Sequence, residues 1–92
     1  IATLTGNVGE ALGLKLAGIW GDQRMTQELV SAGENCGDFL WPMPLVDDYE
    51  ELLKSDYADM TTISPIPYGG AIVAALFLRR FVADSMRWVH ID

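Results

Sequence analysis

An apolar run in the second half of the sequence places the tightest limit on how this chain can fold. Ala71 to Leu78 contains no polar residue, follows the pair Gly69-Gly70 and precedes the basic pair Arg79-Arg80. A helix that is apolar on every face must be buried on every face. The run is far too short to cross a bilayer, which takes about 20 residues. It therefore predicts a central buried helix with the other elements packed around it.

Two patterns before this run predict a strand and then a helix. Leu16 to Trp20 is an apolar run typical of a core strand, and Gly21 ends it. Asp22 can cap a helix, because a carboxylate accepts hydrogen bonds from the free N–H groups of the first turn. Gly37 can end the same helix, because glycine readily adopts the left-handed conformation that closes a helix. Strands that alternate with helices, without repeats, indicate a layered α/β architecture in one domain.

Other segments predict shorter elements. A helical turn through Ala11 and Leu12 ends at Gly13, and an acidic helix fits residues 47–54. Residues 39–45 are apolar but include two prolines, which cannot donate to a sheet, so we expect an extended connector. Residues 57–68 lack a regular period and are predicted to form a loop. The predicted apolar face of the helix after Asp22 consists of Met25, Leu29, Ala32 and Cys36.

The composition argues against several classes of function. The chain has a formal charge of −7 and its 6 basic residues are scattered apart from Arg79-Arg80, whereas nucleic acid needs a clustered cationic face. The single Cys36 excludes an internal disulfide and a cysteine metal cluster, and we expect it to be buried. Because half of the 92 residues are hydrophobic and a chain of this size buries only about 60 to 65% of its unfolded surface alone, we expect neighbours to cover much of its surface.

The first six residues predict that the chain begins beside a binding site. Ile1 to Thr5 alternates apolar and hydroxyl residues, as strands do, and Gly6 supplies a turn. Proteins of the α/β class place ligands where strands end. In the alternative interpretation, Thr3 and Thr5 satisfy backbone groups at a strand end and Gly6 only turns the chain. The strand-like run that ends at Asp92 supports the expectation that the chain is a piece of a larger domain.

Other polar residues favour structural roles. The acids Asp47, Asp48, Glu50 and Glu51 point in different directions on a short helix and are expected to form a solvated face. His90 is the only histidine, so no histidine pair exists for zinc, and a hydrogen-bonded core imidazole is the favoured interpretation. The pattern Gly6-x-x-Gly9 resembles a phosphate-binding turn and leaves a nucleotide-binding βαβ unit open as an alternative.

Five segments of the sequence share their order and spacing with one known family. They are residues 1–6 (IATLTG), 41–45 (WPMPL), 57–60 (YADM), 68–78 (YGGAIVAALFL) and 88–92 (WVHID). Together they resemble the catalytic domain of the leucyl aminopeptidase, or cytosol aminopeptidase, family. The resemblance implies that residues 1–92 are an incomplete C-terminal segment of a three-layer α/β/α domain with a mixed central sheet.

The resemblance also implies an activity for the intact protein. Family members are cytoplasmic exopeptidases, built as hexamers, that remove N-terminal residues from peptides with two divalent metal ions, zinc or manganese. Their metal ligands and their catalytic lysine and arginine precede the IATLTG segment, so the resemblance implies that this chain binds no metal and is inactive alone. A non-catalytic relative that has lost its ligands remains an alternative.

What the resemblance assigns to this chain is the rim of the substrate site. The backbone at Leu4 and Gly6 is expected to hydrogen-bond the peptide, and Thr3 and Gly6 are expected to wall the pocket for its N-terminal side chain. The sequence departs from many members in the stiffer loop of residues 61–67 and at Glu10. If Glu10 faces the site, basic N-terminal residues would be tolerated.

Overall fold

The computed structural model describes residue 1, residues 5–53 and residues 68–92. Over these ranges the secondary-structure elements are the helices α1 (Asn7–Leu12), α2 (Gln23–Cys36) and α3 (Gly70–Arg79), the strands β1 (Ala17–Gly21), β2 (Leu40–Pro42) and β3 (Val89–Ile91), and the 3-10 helix η1 (Asp47–Leu53). Most of the strand predicted near the start of the chain, and nearly all of the loop predicted for residues 57–68, lie outside the described residues.

The three strands form a mixed sheet with β1 in the middle. The order is β2-β1-β3, with β2 parallel and β3 antiparallel to β1. Gly18 and Asp92 exchange two backbone hydrogen bonds, with N···O distances of 2.8 and 3.0 Å, which extends the β1–β3 ladder by one residue. The predicted α/β architecture with a mixed sheet is confirmed.

Helices cover both faces of this sheet. Trp20 packs with Val8 of α1 and with Ala71 and Ala75 of α3. Side chains alternate between faces along a strand, so the completely buried Ile19 points the other way, toward the face covered by α2, which contacts both β1 and β2. The chain therefore contributes to all three layers of an α/β/α arrangement.

The predicted buried helix is α3, and it lies between the sheet and η1. Its small residues Ala71 and Ala75 face Trp20, which lets the helix approach the sheet closely. Val73 and Leu76 pack instead against Leu53 of η1. Burial on both sides explains why the run needs apolar residues all round.

The helix after Asp22 begins and ends as its sequence indicates, but it presents a different face to the core. The Asp22 side chain accepts a hydrogen bond from the Met25 N–H at 2.9 Å, and Gly37 closes the helix with a φ of 80°. The buried residues are Thr26 and Gly33, whereas Ala32 and Cys36 are exposed, so the expectation of a buried Cys36 was wrong. A Cβ on Gly33 would overlap the carbonyl oxygen of Asp38, so the missing side chain lets the next segment cross close to the helix.

Residues 40–42 form a strand where an extended connector was expected. The Phe39 carbonyl oxygen accepts a hydrogen bond from the Ala17 N–H at 3.1 Å, and the Met43 N–H donates one to the Ile19 carbonyl oxygen at 2.8 Å. Peptide groups of odd-numbered residues therefore face β1, and Pro42 lies in register with Ile19 with its nitrogen turned to the outer edge. A proline is tolerated in such a position because no ladder hydrogen bond is lost.

The acids of η1 are not simply a solvated face, because two of them bind α3. Arg79 donates to Asp47 at 2.8 Å and to Glu50 at 2.9 Å, and the Arg80 Nε donates to Glu50 at 2.8 Å. Burial alone would raise the pKa of Glu50, but the hydrogen bonds and positive charges of Arg80 and Arg79 outweigh it and hold that pKa below its ordinary value. These ion pairs fasten η1 to the end of α3.

No helix within the described ranges has both the length and the apolar character needed to span a bilayer.

Candidate functional site

Gly6 forms the turn at which α1 begins. Its φ of 76° and ψ of −2° lie in the left-handed region, which glycine enters at little cost. The position is exposed, and a Cβ built on it would meet no atom within 4 Å. The turn is further shaped by Thr5, whose hydroxyl accepts a hydrogen bond from the Asn7 N–H at 3.1 Å. The glycine turn expected here is present, and Thr5 has the structural role of the alternative interpretation.

Two of the three candidate site residues, Thr3 and Leu4, lie outside the described residues. Their roles, like the role of Gly6 in substrate binding, stay predictions.

A cleft lies beside this turn, between α1 and the start of α3. Its volume is about 390 Å³. Asn7, Glu10 and Ala11 line it from α1, residues 68–72 line it from the start of α3 and the two residues before it, and Met43 also contributes. Val8 and the partly buried Leu12 pack inward on the Trp20 cluster, so the remaining faces of α1 are free to border the cleft. The helix that follows the Gly6 turn and residues 68–72, far apart in sequence, thus come together at this cleft.

A close contact between Asn7 and Gly70 joins the two sides of this cleft. A Cβ on Gly70 would overlap the Asn7 Nδ2 atom and would come within 3.3 Å of its Cγ atom. The next glycine back, Gly69, begins α3 with a φ of 67° and packs against the ring of Tyr49. Each glycine of the pair therefore leaves room for a side chain from another segment, Tyr49 at Gly69 and Asn7 at Gly70.

Replacing Gly70 with alanine tests this contact. Alanine normally stabilises a helix relative to glycine by about 0.5–1 kcal/mol, but here the added methyl group must displace the end of the Asn7 side chain, which offsets part of this gain. We therefore expect Gly70→Ala to raise the thermal unfolding midpoint more in an Asn7→Ala background than in the unchanged protein. Equal shifts of the midpoint in the two backgrounds would contradict the contact.

The electrostatics of the cleft come from one side chain. Glu10 is exposed and is the only charged residue among the described residues that line the cleft. The first turn of α1 carries this acid, and its last turn has no basic residue. The cleft therefore presents negative charge beside the Gly6 turn.

His90 lies in the core, away from this cleft, and its environment differs from the one expected. It is 2% exposed and stacks on Trp20 at a ring-centroid distance of 5.4 Å and on Trp88 at 6.4 Å. Burial lowers the pKa of His90, although the Asp92 carboxylate acts in the opposite direction. Four buried polar atoms, Trp20 Nε1, Thr26 Oγ1, His90 Nε2 and Asp92 Oδ2, have no hydrogen-bond partner among the described residues. The core position was correct, but a hydrogen bond at Nε2 was not found.

The glycine pattern that suggested a nucleotide site does not form an open loop. Gly9 lies inside α1, whose residues run from Asn7 to Leu12, and its φ is not positive. A phosphate-binding turn needs successive free N–H groups ahead of a helix. Because Gly9 is itself a helical residue, the pattern does not supply such a turn.

Comparison with known proteins identifies the family. The model of the cytosol aminopeptidase family catalytic domain matches residues 1–92. A probable cytosol aminopeptidase of Acinetobacter baylyi is 50% identical over 93 residues, which cover 100% of this chain and 19% of the relative. A probable cytosol aminopeptidase of Nitratidesulfovibrio vulgaris is 47% identical over 93 residues, which cover 100% of this chain and 18% of that relative. The chain thus spans about a fifth of the length of the curated relatives it matches.

A solved structure gives the same result. A mutant of tomato leucine aminopeptidase matches with a TM-score of 0.89 and 42% sequence identity, over 96% of this chain and 18% of that one. The likeness in sequence and in backbone confirms the resemblance of the five segments and the α/β fold expected from it. The chain belongs to the cytosol aminopeptidase family.

Proposed function

We propose that residues 1–92 are the incomplete C-terminal segment of the catalytic domain of a dinuclear metal-dependent aminopeptidase of the leucyl type, which hydrolyses the N-terminal residue from peptides. The match of the family's catalytic-domain model to the whole chain carries this proposal. The names of the relatives, cytosol aminopeptidase and leucine aminopeptidase, support the reaction class.

The part assigned to this chain is the rim of the substrate site. Thr3, Leu4 and Gly6 bind substrate: the backbone of Leu4 and Gly6 hydrogen-bonds the peptide, and Thr3 and Gly6 wall the pocket for the N-terminal side chain. The absence of any atom within 4 Å of a Cβ built on Gly6 supports this role, because it leaves room for a ligand to approach the backbone there. Behind Gly6, Val8 of α1 packs against Trp20, Ala71 and Ala75, which gives the turn the support that a binding site requires.

The described residues do not fit a metal centre. Within residues 5–53 and 68–92, no group of three or more His, Cys, Asp or Glu side chains converges so as to hold an ion. In the proposal, the two zinc or manganese ions and the catalytic lysine and arginine are held by the preceding part of the parent protein. We therefore assign no catalytic step to this chain, and expect residues 1–92 alone to be inactive.

The surface of the chain supports a place within a larger assembly. Several large apolar side chains are exposed, among them Leu14 (97%), Phe81 (68%), Met86 (65%) and Trp41 (56%). Exposed apolar area of this kind marks surfaces that contact other parts of a protein. We propose that the rest of the domain and the other subunits of a cytoplasmic hexamer cover it.

The proposal is tested on the complete parent protein. We expect hydrolysis of leucine amide with added manganese or zinc, abolished by a chelator and restored when the metal is returned. A parent that folds and assembles but hydrolyses no N-terminal residue with either metal would be a non-catalytic relative, and the proposed activity would be wrong.

A further inference from the structure

We propose that the cleft between α1 and the start of α3 selects peptides with a cationic N-terminal side chain, lysine or arginine, and that the Glu10 carboxylate is its specificity determinant. This inference rests on the proposed function and names the class of substrate that the site prefers.

Glu10 lies near Gly6, the residue of the proposed rim that the structure describes. Gly6 is the residue from which α1 begins, and Glu10 follows four positions later. Four residues of helix rise by about 6 Å, so Glu10 lies about one turn along α1 from the glycine that borders the pocket for the N-terminal side chain. Glu10 lines the cleft together with Asn7 and Ala11 of the same helix. A carboxylate so placed can reach a charged group at the end of a long side chain.

The described lining of the cleft is negatively charged, and the charge comes from Glu10. Glu10 has no ion pair with any described residue, and the described lining otherwise consists of uncharged residues. The acids Asp47 and Glu50, in contrast, are bound to arginines. No described residue thus neutralises its negative charge, and the chain as a whole is acidic, with 13 acidic and 6 basic residues. A cation is the group that this surface attracts.

The size and the lining of the cleft suit a long cationic side chain. Its volume of about 390 Å³ lies within the range of about 300–1,000 Å³ typical of small-molecule sites. Gly69 and Gly70 add no side chains of their own to the α3 side, and Tyr68, which lines the edge of the cleft, is 78% exposed. An aromatic face attracts ammonium and guanidinium groups. The cleft therefore offers a carboxylate and a ring to a long cationic side chain.

The experiment compares two substrates on the complete parent protein. We measure kcat/KM for arginine amide and for leucine amide, and express selectivity as their ratio. Glu10→Gln keeps the size of the side chain and removes its charge. Because partly exposed ion pairs contribute up to about 1 kcal/mol, we expect the arginine-to-leucine ratio to fall about three- to fivefold. In the unchanged protein the ratio should also fall as salt is added, since exposed charges are screened.

A matched control separates this effect from a general loss of negative charge. Glu34 is an exposed acid on α2, outside the cleft lining, so Glu34→Gln should leave the ratio unchanged. If the parent hydrolyses leucine amide and Glu10→Gln leaves the ratio as it was, this inference is wrong and the proposed function stands. If the parent hydrolyses neither amide, the proposed function fails, and calorimetric binding of arginine amide decides the inference. Weaker binding by Glu10→Gln than by Glu34→Gln supports it, and equal binding overturns it.

Discussion

Replacing Gly21 with alanine is expected to destabilise the protein by about 3–5 kcal/mol, at the upper end of single substitutions. Gly21 ends β1 with a φ of 122°, a conformation that other residues rarely adopt. A Cβ at this position would overlap the carbonyl oxygen of Trp88 and lie 2.9 Å from the Cα atom of Val89. That oxygen cannot move freely, because it accepts a hydrogen bond from the Asp22 N–H at 2.8 Å. The strain and the steric overlap act together on the β1–β3 pairing.

The measurement is the thermal unfolding midpoint of the protein, and Gly37→Ala is the matched control. Gly37 also has a positive φ, 80°, but no atom lies within 4 Å of its missing Cβ. The control therefore carries only the left-handed backbone cost of about 1–2 kcal/mol. Equal shifts for the two variants would show that the backbone at Trp88, just before β3, can move aside, and the predicted steric cost would be wrong.

Truncation of Trp20 is expected to cost about 3–5 kcal/mol, as for other large buried aromatic residues. Trp20 is completely buried, packs between α1 and α3, and stacks on His90 with an interplanar angle of 23°. Trp20→Ala would leave a cavity between β1, α1 and α3. The collapse needed to fill it is opposed by the ladder that holds β1 between β2 and β3.

Trp20→Phe separates the contribution of packing from that of the indole N–H. Phenylalanine keeps a ring against His90 and removes the Nε1 atom, which has no partner among the described residues. An unsatisfied buried donor costs about 1–3 kcal/mol, so its removal offsets part of the lost volume. We expect the unfolding midpoint of Trp20→Phe to lie much closer to that of the unchanged protein than to that of Trp20→Ala. Similar midpoints for both variants would contradict a role based on ring packing.

Features set by neighbouring residues were predicted well from the sequence. The limits of α2 follow from Asp22 and Gly37, whose capping roles depend only on residues within one turn. The burial of α3 follows from its composition, since no arrangement leaves an all-apolar helix in water. The glycine turn at Gly6 is likewise a local property of the backbone.

Features set by distant residues were not predictable in this way. Glu50 binds Arg79 across 29 positions of sequence, so the acids of η1 were expected to face water. The buried residues of α2 are Gly33 and Thr26, and the following segment crosses close to Gly33. The hydrophobic pattern alone predicted that Ala32 and Cys36 would face inward instead. In each case a tertiary contact outweighed the local pattern.

The same distinction between features set by neighbouring residues and features set by distant residues applies to the candidate site. The turn at Gly6 could be placed from the sequence, whereas the contact of Asn7 with Gly70 depends on how α1 and α3 pack. The cleft lined by Glu10 exists only because that packing brings residues 7–11 and 68–72 together. The roles of Thr3, Leu4 and Gly6 toward substrate come from the family resemblance and stay predictions.

The register of Pro42 also limits how this chain can associate with other chains. Along the outer edge of β2, Leu40 offers an N–H group and Pro42 offers none, while Trp41 directs its amide toward β1. A foreign strand laid against this edge would find a gap in the row of donors. Unprotected edges invite intermolecular β-sheet growth, and prolines are among the residues that block it. At this edge of the three described strands, Pro42 thus removes one donor and weakens β2 as a template for a foreign strand.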